Sequence, residues 1–214
     1  MQTVRTIGDL RGPSGRLEAL LNTGATDAKY AVLLCHPHPL GGGTMHNKVV
    51  YHAMKAFQGF GFPVLRFNFR GTGLSEGEHD HGSGEQDDVR AGLDWLQRET
   101  GLPMLFAGFS FGAYVGLRTV CGDGRVKGAV ALGLPVKAEG RGYSYEFLAG
   151  CRIPKLFISG TQDQYGPREE VATAVGKAAD PKEMVWVAGA EHFFVGKLDK
   201  VQTAISDWVQ ARFL

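Results

Sequence analysis

Gly108-Phe109-Ser110-Phe111-Gly112 lies between an apolar run, Met104 to Ala107, and an apolar helical stretch carrying Ala113, Val115 and Leu117. A serine between two glycines at a strand-to-helix junction fits a nucleophile elbow. The glycines allow a turn sharp enough to hold the hydroxyl clear of the sheet, and the helix N-terminus beneath it favours developing negative charge. The plainer alternative is a glycine-rich turn whose serine only caps the helix. A serine hydroxyl attacks a carbonyl poorly unless a base takes its proton, and the base needs a carboxylate to fix its tautomer. Both partners follow in the chain. The apolar run Lys155 to Ser159 leads into Gly160-Thr161-Gln162-Asp163, and the run Met184 to Val187 leads into Ala188-Gly189-Ala190-Glu191-His192, where the last histidine of the sequence sits. The order Ser110, Asp163, His192 is that of elbow-type triads.

Two other acids compete with Asp163 to orient His192. Glu191 adjoins the histidine, but neighbouring side chains in an extended loop diverge. Glu139 follows the run Val126 to Leu132 and ranks second. Acyl chemistry also needs donors for an oxyanion. One N–H is expected from Phe111, the residue after the serine, and another from the loop His36-Pro37-His38-Pro39-Leu40-Gly41-Gly42-Gly43. Prolines have no N–H to give, which leaves Leu40 as the first expectation and His38 as the next.

The elements that position these residues alternate between short apolar runs and helical periodicity. Strands are expected at Ala31 to Cys35, Pro63 to Phe69, Met104 to Ala107, Val126 to Leu132, Lys155 to Ser159 and Met184 to Val187. Val89, Gly92, Leu93 and Leu96 recur at helical spacing, as do Leu198, Val201, Ile205, Trp208 and Val209. Ser83 with Gln86 predicts a capping box at the start of the first of these helices, with Asp87 and Asp88 at its positive end. Val4 to Leu10 and Gly15 to Leu21 read as an antiparallel pair. The pattern predicts one α/β domain over 1–214 with a mostly parallel sheet, helices on both faces and functional loops at the carboxyl ends of the strands.

Composition excludes several classes of function. A net charge of +1 over 214 residues gives no electrostatic case for nucleic acid or an anionic membrane. No apolar stretch approaches membrane-spanning length, and the first sixteen residues lack the apolar run of a signal peptide. The three cysteines, Cys35, Cys121 and Cys151, leave an odd one and form no CxxC pair. The expectation is therefore reduced thiols and a cytoplasmic location. Gly71-Thr72-Gly73-Leu74-Ser75-Glu76 has glutamate where a dinucleotide fingerprint needs its third glycine, so it reads as a structural turn braced by Arg70. His36, His38 and His46 lack the spacing of a binuclear metal site, and His79-Asp80-His81 lies in a polar glycine-rich loop, so no metal and no cofactor are expected.

Together, His36 to Gly43 with Met45 to Lys48, Arg66 to Ser75, the elbow, Gly160 to Asp163 and Ala190 to Phe194 resemble the small bacterial α/β-hydrolases related to dienelactone hydrolase that carry an HPHP-x-x-GG loop. The resemblance implies an α/β-hydrolase fold with about eight strands and the triad Ser110, Asp163 and His192. It does not specify a substrate. The expected activity is that of a serine hydrolase cleaving small ester-like molecules through an acyl-enzyme on Ser110. Thioester or peptide hydrolysis and acyl transfer would use the same residues, and a non-catalytic binding protein on the same scaffold is the rival of a different class. Only Gly133 to Pro154 is available where larger relatives insert a helical cap, so a minimal cap and a preference for short acyl groups are expected. Tyr143, Tyr145 and Phe147 are candidates for a wall of the cleft.

Overall fold

The computed structural model describes residues 3–137 and 142–214. Ten strands and five α-helices follow one another as β1 (Val4–Ile7), β2 (Arg11–Gly12), β3 (Gly15–Arg16), β4 (Ala19–Asn22), β5 (Ala31–Cys35), α1 (Lys48–Gln58), β6 (Val64–Phe67), α2 (Gly84–Thr100), β7 (Met104–Phe109), α3 (Phe111–Val120), β8 (Val126–Leu132), β9 (Lys155–Gly160), α4 (Arg168–Gly176), β10 (Lys182–Val187) and α5 (Leu198–Phe213). Eight strands form one sheet in the order β1-β4-β6-β5-β7-β8-β9-β10. β4 pairs antiparallel with both β1 and β6, and the pairs from β6 through β10 are parallel.

Alternation along the central strands decides which helices cover which face. Leu33 and Cys35 of β5, Phe106 of β7 and Phe157 of β9 share a core with Val89 and Leu93 of α2, Leu117 of α3 and Val171 of α4. Val32 and Leu34, Leu105 and Ala107, and Leu156 and Ile158 point the other way, onto Val50 and Phe57 of α1 and Ile205 and Trp208 of α5. Such strands are buried on both faces and read as continuous apolar runs, as parallel strands between two helical layers must. Parallel pairing also brings the carboxyl ends of β5, β7, β9 and β10 to one edge of the sheet, where the loops bearing His38, Ser110, Asp163 and His192 emerge.

Three local expectations are corrected. The opening pair of strands is broken into four. β1 pairs with β4, with Val4 opposite Asn22 and Ile7 opposite Ala19, while β2 and β3 form a separate two-residue hairpin. Between them the chain leaves the sheet to bury Leu10 and Leu17 in the core that α2 covers, and Trp95 Nε1 of α2 donates to Asp9 Oδ1 at 3.0 Å.

The second correction is at the start of α2. Ser83 makes no side-chain cap there. Asp80 Oδ2 accepts the Gly84 N–H at 2.9 Å, and the Glu85 carboxylate accepts those of Asp80 and Gly82 at 2.8 and 2.7 Å. Asp88 is likewise not spent on the helix end: its buried carboxylate takes Arg70 Nη2 at 2.8 Å and the Arg70 backbone N–H at 3.0 Å. Arg70 thus braces the turn after β6, as its position suggests.

The third concerns the cysteines. Cys121 and Cys151 form a disulfide, and Cys35 is buried in β5 as a free thiol. The pair is separated by 30 residues in sequence, yet the end of α3 and the segment entering β9 bring the two Cα atoms to 4.9 Å. A cytoplasmic location loses the argument that unpaired cysteines gave it. Among the described residues, no helix is long and apolar enough to cross a membrane.

Candidate active site

Ser110 joins β7 to α3 with φ 54° and ψ −119°, a conformation that L-residues avoid. The turn is sharp because the chain reverses within a residue of the strand end, and only glycines fit two residues before and two residues after Ser110. A Cβ on Gly112 would stand 2.4 Å from the His36 carbonyl oxygen, and one on Gly108 would stand 2.6 Å from the carbonyl oxygen of Gly112. The Ser110 carbonyl accepts the Ala113 and Tyr114 N–H groups at the start of α3, but its side chain accepts none of them, so the hydroxyl does not cap the helix.

The Ser110 hydroxyl instead meets His192. Nε2 of the imidazole lies 3.0 Å from Ser110 Oγ, while Nδ1 lies 3.0 and 2.8 Å from the two carboxylate oxygens of Asp163. A carboxylate only accepts, so Nδ1 carries the proton and Nε2 is left to accept from the serine. All three side chains are buried. Their loops are tied to one another: Gln162 N donates to the Ala190 carbonyl at 2.9 Å, Thr161 N to the Val187 carbonyl at 3.1 Å, and Gly189 N to Thr161 Oγ1 at 2.8 Å. Asp163 is further fixed by the N–H groups of Tyr165 and Gly166, at 2.8 and 3.0 Å from Oδ1.

Of the two rival acids, only Glu191 can be placed. Glu191 turns away from the imidazole and accepts the N–H groups of Phe193 and Val195 at 3.0 and 2.8 Å, which pins the turn after His192. Glu139 lies outside the described residues.

Around the serine lies a cleft of about 450 Å³, lined by Pro37, His38, Gly41 to Gly43, Asn47, Pro135, Tyr143, Tyr165 and Phe193. Phe111 opens α3, where the first N–H groups of a helix have no intrahelical partner. Leu40 sits differently from the expectation. The residue is 71% exposed, and its N–H donates to His38 Nδ1 at 3.1 Å within the short 3-10 turn Pro39–Gly41. Of the three aromatic candidates for a wall, Tyr143 lines the cleft. Tyr145 is buried and donates its hydroxyl to the Pro135 carbonyl, and Phe147 packs against it. Tyr165 and Phe193 escape the sequence reading. The one available signal is their place, two residues after Asp163 and one after His192.

His36, His38, His79 and His81 have other partners. His36 is buried. Its Nε2 accepts the Phe69 N–H at 2.9 Å and its Nδ1 lies 2.6 Å from the Pro37 carbonyl oxygen, so the ring is neutral and holds β5 to the end of β6. Burial pushes its pKa down to about 4. The His79 ring packs at a tilt against His38 and edge-on against His81, and His79 Nδ1 approaches Glu85 at 2.7 Å. Among the described residues no three His, Cys, Asp or Glu side chains converge as a metal site requires. A larger groove of about 790 Å³ runs between β10 and α5 past Trp186 and Trp208, and it contains no member of the Ser110–His192–Asp163 constellation.

The chain matches the α/β-hydrolase domain family over residues 28–211. It is 36% identical over 205 residues to a protein of Rickettsia prowazekii, covering 92% of this chain and 86% of the relative. Among solved structures, a serine hydrolase homologue from Coxiella burnetii is 35% identical, with 98% of each chain covered and a TM-score of 0.85. A serine hydrolase without a lid from Xanthomonas campestris is 30% identical, covering 98% of this chain and 94% of that one, with a TM-score of 0.82. With an eight-stranded, mostly parallel sheet and helices on both faces, this chain belongs to the α/β-hydrolase family.

Proposed function

We propose that the protein is a serine hydrolase of small carboxylic esters, with Ser110 as nucleophile, His192 as general base and acid, and Asp163 orienting the imidazole. The observation that carries this reading is the continuous hydrogen-bonded line Ser110 Oγ, His192 Nε2, His192 Nδ1, Asp163, which starts from a residue held at positive φ. Strain of that kind persists where the surroundings over-determine it and clusters at reactive sites.

In the reaction His192 takes the Ser110 proton as Oγ bonds to the ester carbonyl carbon, and Asp163 stabilises the imidazolium. The carbonyl oxygen becomes an oxyanion, for which the Phe111 N–H is one donor. The second belongs to the 38–43 loop. Leu40 would first have to surrender its bond to His38, and His38 lies in the cleft wall. The imidazolium then protonates the leaving alcohol, and water repeats the sequence on the acyl-enzyme. These steps need no cofactor and no metal.

Among its described residues, the segment entering β9 carries one short 3-10 turn, Glu146–Gly150, and the similar Xanthomonas protein is described as lacking a lid. A shallow cleft of this kind leaves a long acyl chain in water, and each methylene left unburied forfeits about 0.8 kcal/mol. Short acyl groups are therefore the proposed substrates. The test is a screen of acyl esters, thioesters and lactones against the wild type and Ser110→Ala. Turnover should fall by several orders of magnitude in the variant, and substantial esterase activity surviving there would refute the reading.

A further inference from the structure

Among the described residues, four of the eight exposed large apolar side chains lie on the loops that carry the site, the others being Val4, Tyr51, Leu74 and Leu214. Leu40, Tyr165, Phe193 and Val195 are all exposed, and all lie on the loops after β5, β9 and β10. Tyr165 and Phe193, 41% and 42% exposed, both line the cleft itself. Each ring packs edge-on against His192, with centroids 4.7 and 5.2 Å from the imidazole and interplanar angles of 68° and 85°.

Neither ring is there by accident of a loose loop. The backbone N–H of Tyr165 is held by Asp163 and its carbonyl accepts the N–H groups of Val136 and Lys137. The backbone N–H of Phe193 is held by Glu191. Asp163 and Glu191 thus also fix the backbone from which the two partly exposed aromatic rings project. A core has no use for rings left this far in water, but a ligand does.

Which part of a substrate they would meet follows from the chemistry of His192. The leaving oxygen must come within hydrogen-bond reach of Nε2 to receive its proton, and its substituent must therefore pass the imidazole. The carbonyl oxygen is directed instead to Phe111 and the 38–43 loop. We propose that Tyr165 and Phe193 form the leaving-group subsite, and that the alcohol half of the ester is an aromatic or similarly flat apolar group. This rests on the serine-hydrolase reading above. In the step concerned, the bond between the acyl carbon and the alcohol oxygen breaks, the acyl group stays on Ser110 Oγ, and the alcohol leaves with the proton that His192 took from Ser110. Water then carries off the acyl group.

The test compares benzyl acetate with 2-methoxyethyl acetate, whose alcohols are of similar acidity, so that binding rather than leaving-group chemistry sets the difference. The wild type should favour the benzyl ester in kcat/KM by about tenfold or more, the fold-change that two ring contacts give. That ratio should fall at least threefold in Tyr165→Ala and in Phe193→Ala, and Tyr165→Phe should restore it. A wild-type ratio near one, or a ratio unchanged in both alanine variants, overturns the subsite while Ser110-dependent turnover leaves the serine-hydrolase reading standing. Turnover that survives Ser110→Ala instead removes that reading and the subsite with it. A second measurement needs no variant. Benzyl alcohol should slow fluorophosphonate labelling of the wild type more than 2-methoxyethanol does at equal concentration, and equal effects would overturn the proposal.

Discussion

Ser110 makes a demand on the fold that can be separated from its chemistry. At φ 54° and ψ −119° it occupies a region that costs a residue with a Cβ about 1–3 kcal/mol. Ser110→Ala and Ser110→Gly both delete the hydroxyl, and with it the contact to His192. Only the glycine variant relieves the backbone. Glycine also loosens the unfolded chain, which costs about 0.4–1 kcal/mol relative to alanine. The difference leaves Ser110→Gly more stable than Ser110→Ala by about 1 kcal/mol, or a melting temperature higher by about 2–4 °C for a chain of this size. Urea unfolding with an unchanged m-value in both variants is the assay. At an ordinary strand–helix junction the order would be reversed, with alanine ahead. Finding alanine equal or ahead would show that Ser110 is unstrained, and the elbow geometry would lose its physical basis.

Asp163→Asn should lower kcat by about 10⁴ by presenting the wrong tautomer of His192 to the serine, whereas Glu191→Gln, which leaves the imidazole's own partner in place, should cost far less; the check is steady-state kinetics on one short-chain ester. His36 is neutral when folded, with a pKa of about 4 against 6.5 for a free histidine. Stability should therefore be full above pH 6.5 and fall by about 3 kcal/mol as the pH drops toward 4, because the unfolded chain takes up a proton that the folded one refuses. Urea melts across that range, with His36→Gln losing less over the same interval, measure it. Asp88→Ala should destabilise by about 3–5 kcal/mol because it strands the Arg70 guanidinium in a buried site. Thermal or urea unfolding of Asp88→Ala beside an Arg70→Met, Asp88→Leu double variant, expected to recover much of the loss, separates burial of a lone charge from loss of packing.

The parts of this structure legible in the sequence are those set by local pattern. β5 and β8 run over Ala31–Cys35 and Val126–Leu132, the limits their apolar runs predict, because these strands are buried on both faces apart from Lys127 near the start of β8. The spacing of Ser110, Asp163 and His192 after three strand ends is enough to suggest their meeting, since parallel strands deliver their carboxyl ends to one edge. What was hidden depends on contacts between distant segments. Cys121 and Cys151 lie at the ends of elements whose adjacency no cysteine count reveals. The cap of α2 comes from Asp80 and Glu85 rather than Ser83 because the loop before the helix folds back on it. Leu10 and Leu17 leave the strand pattern to reach α2, a tertiary demand that period-two alternation cannot express. Leu40 has an N–H at the right place in the loop, but the neighbouring imidazole of His38 takes it. The roles of Tyr165 and Phe193 emerge only when the rings are seen against His192.

The most direct test of the central claim is to treat the protein with a fluorophosphonate and map the modified residue by peptide mass spectrometry. The account predicts a single covalent adduct on Ser110, formed rapidly in the native protein and abolished in His192→Ala and on unfolding. No adduct at Ser110, or one that forms equally well without His192, would contradict it.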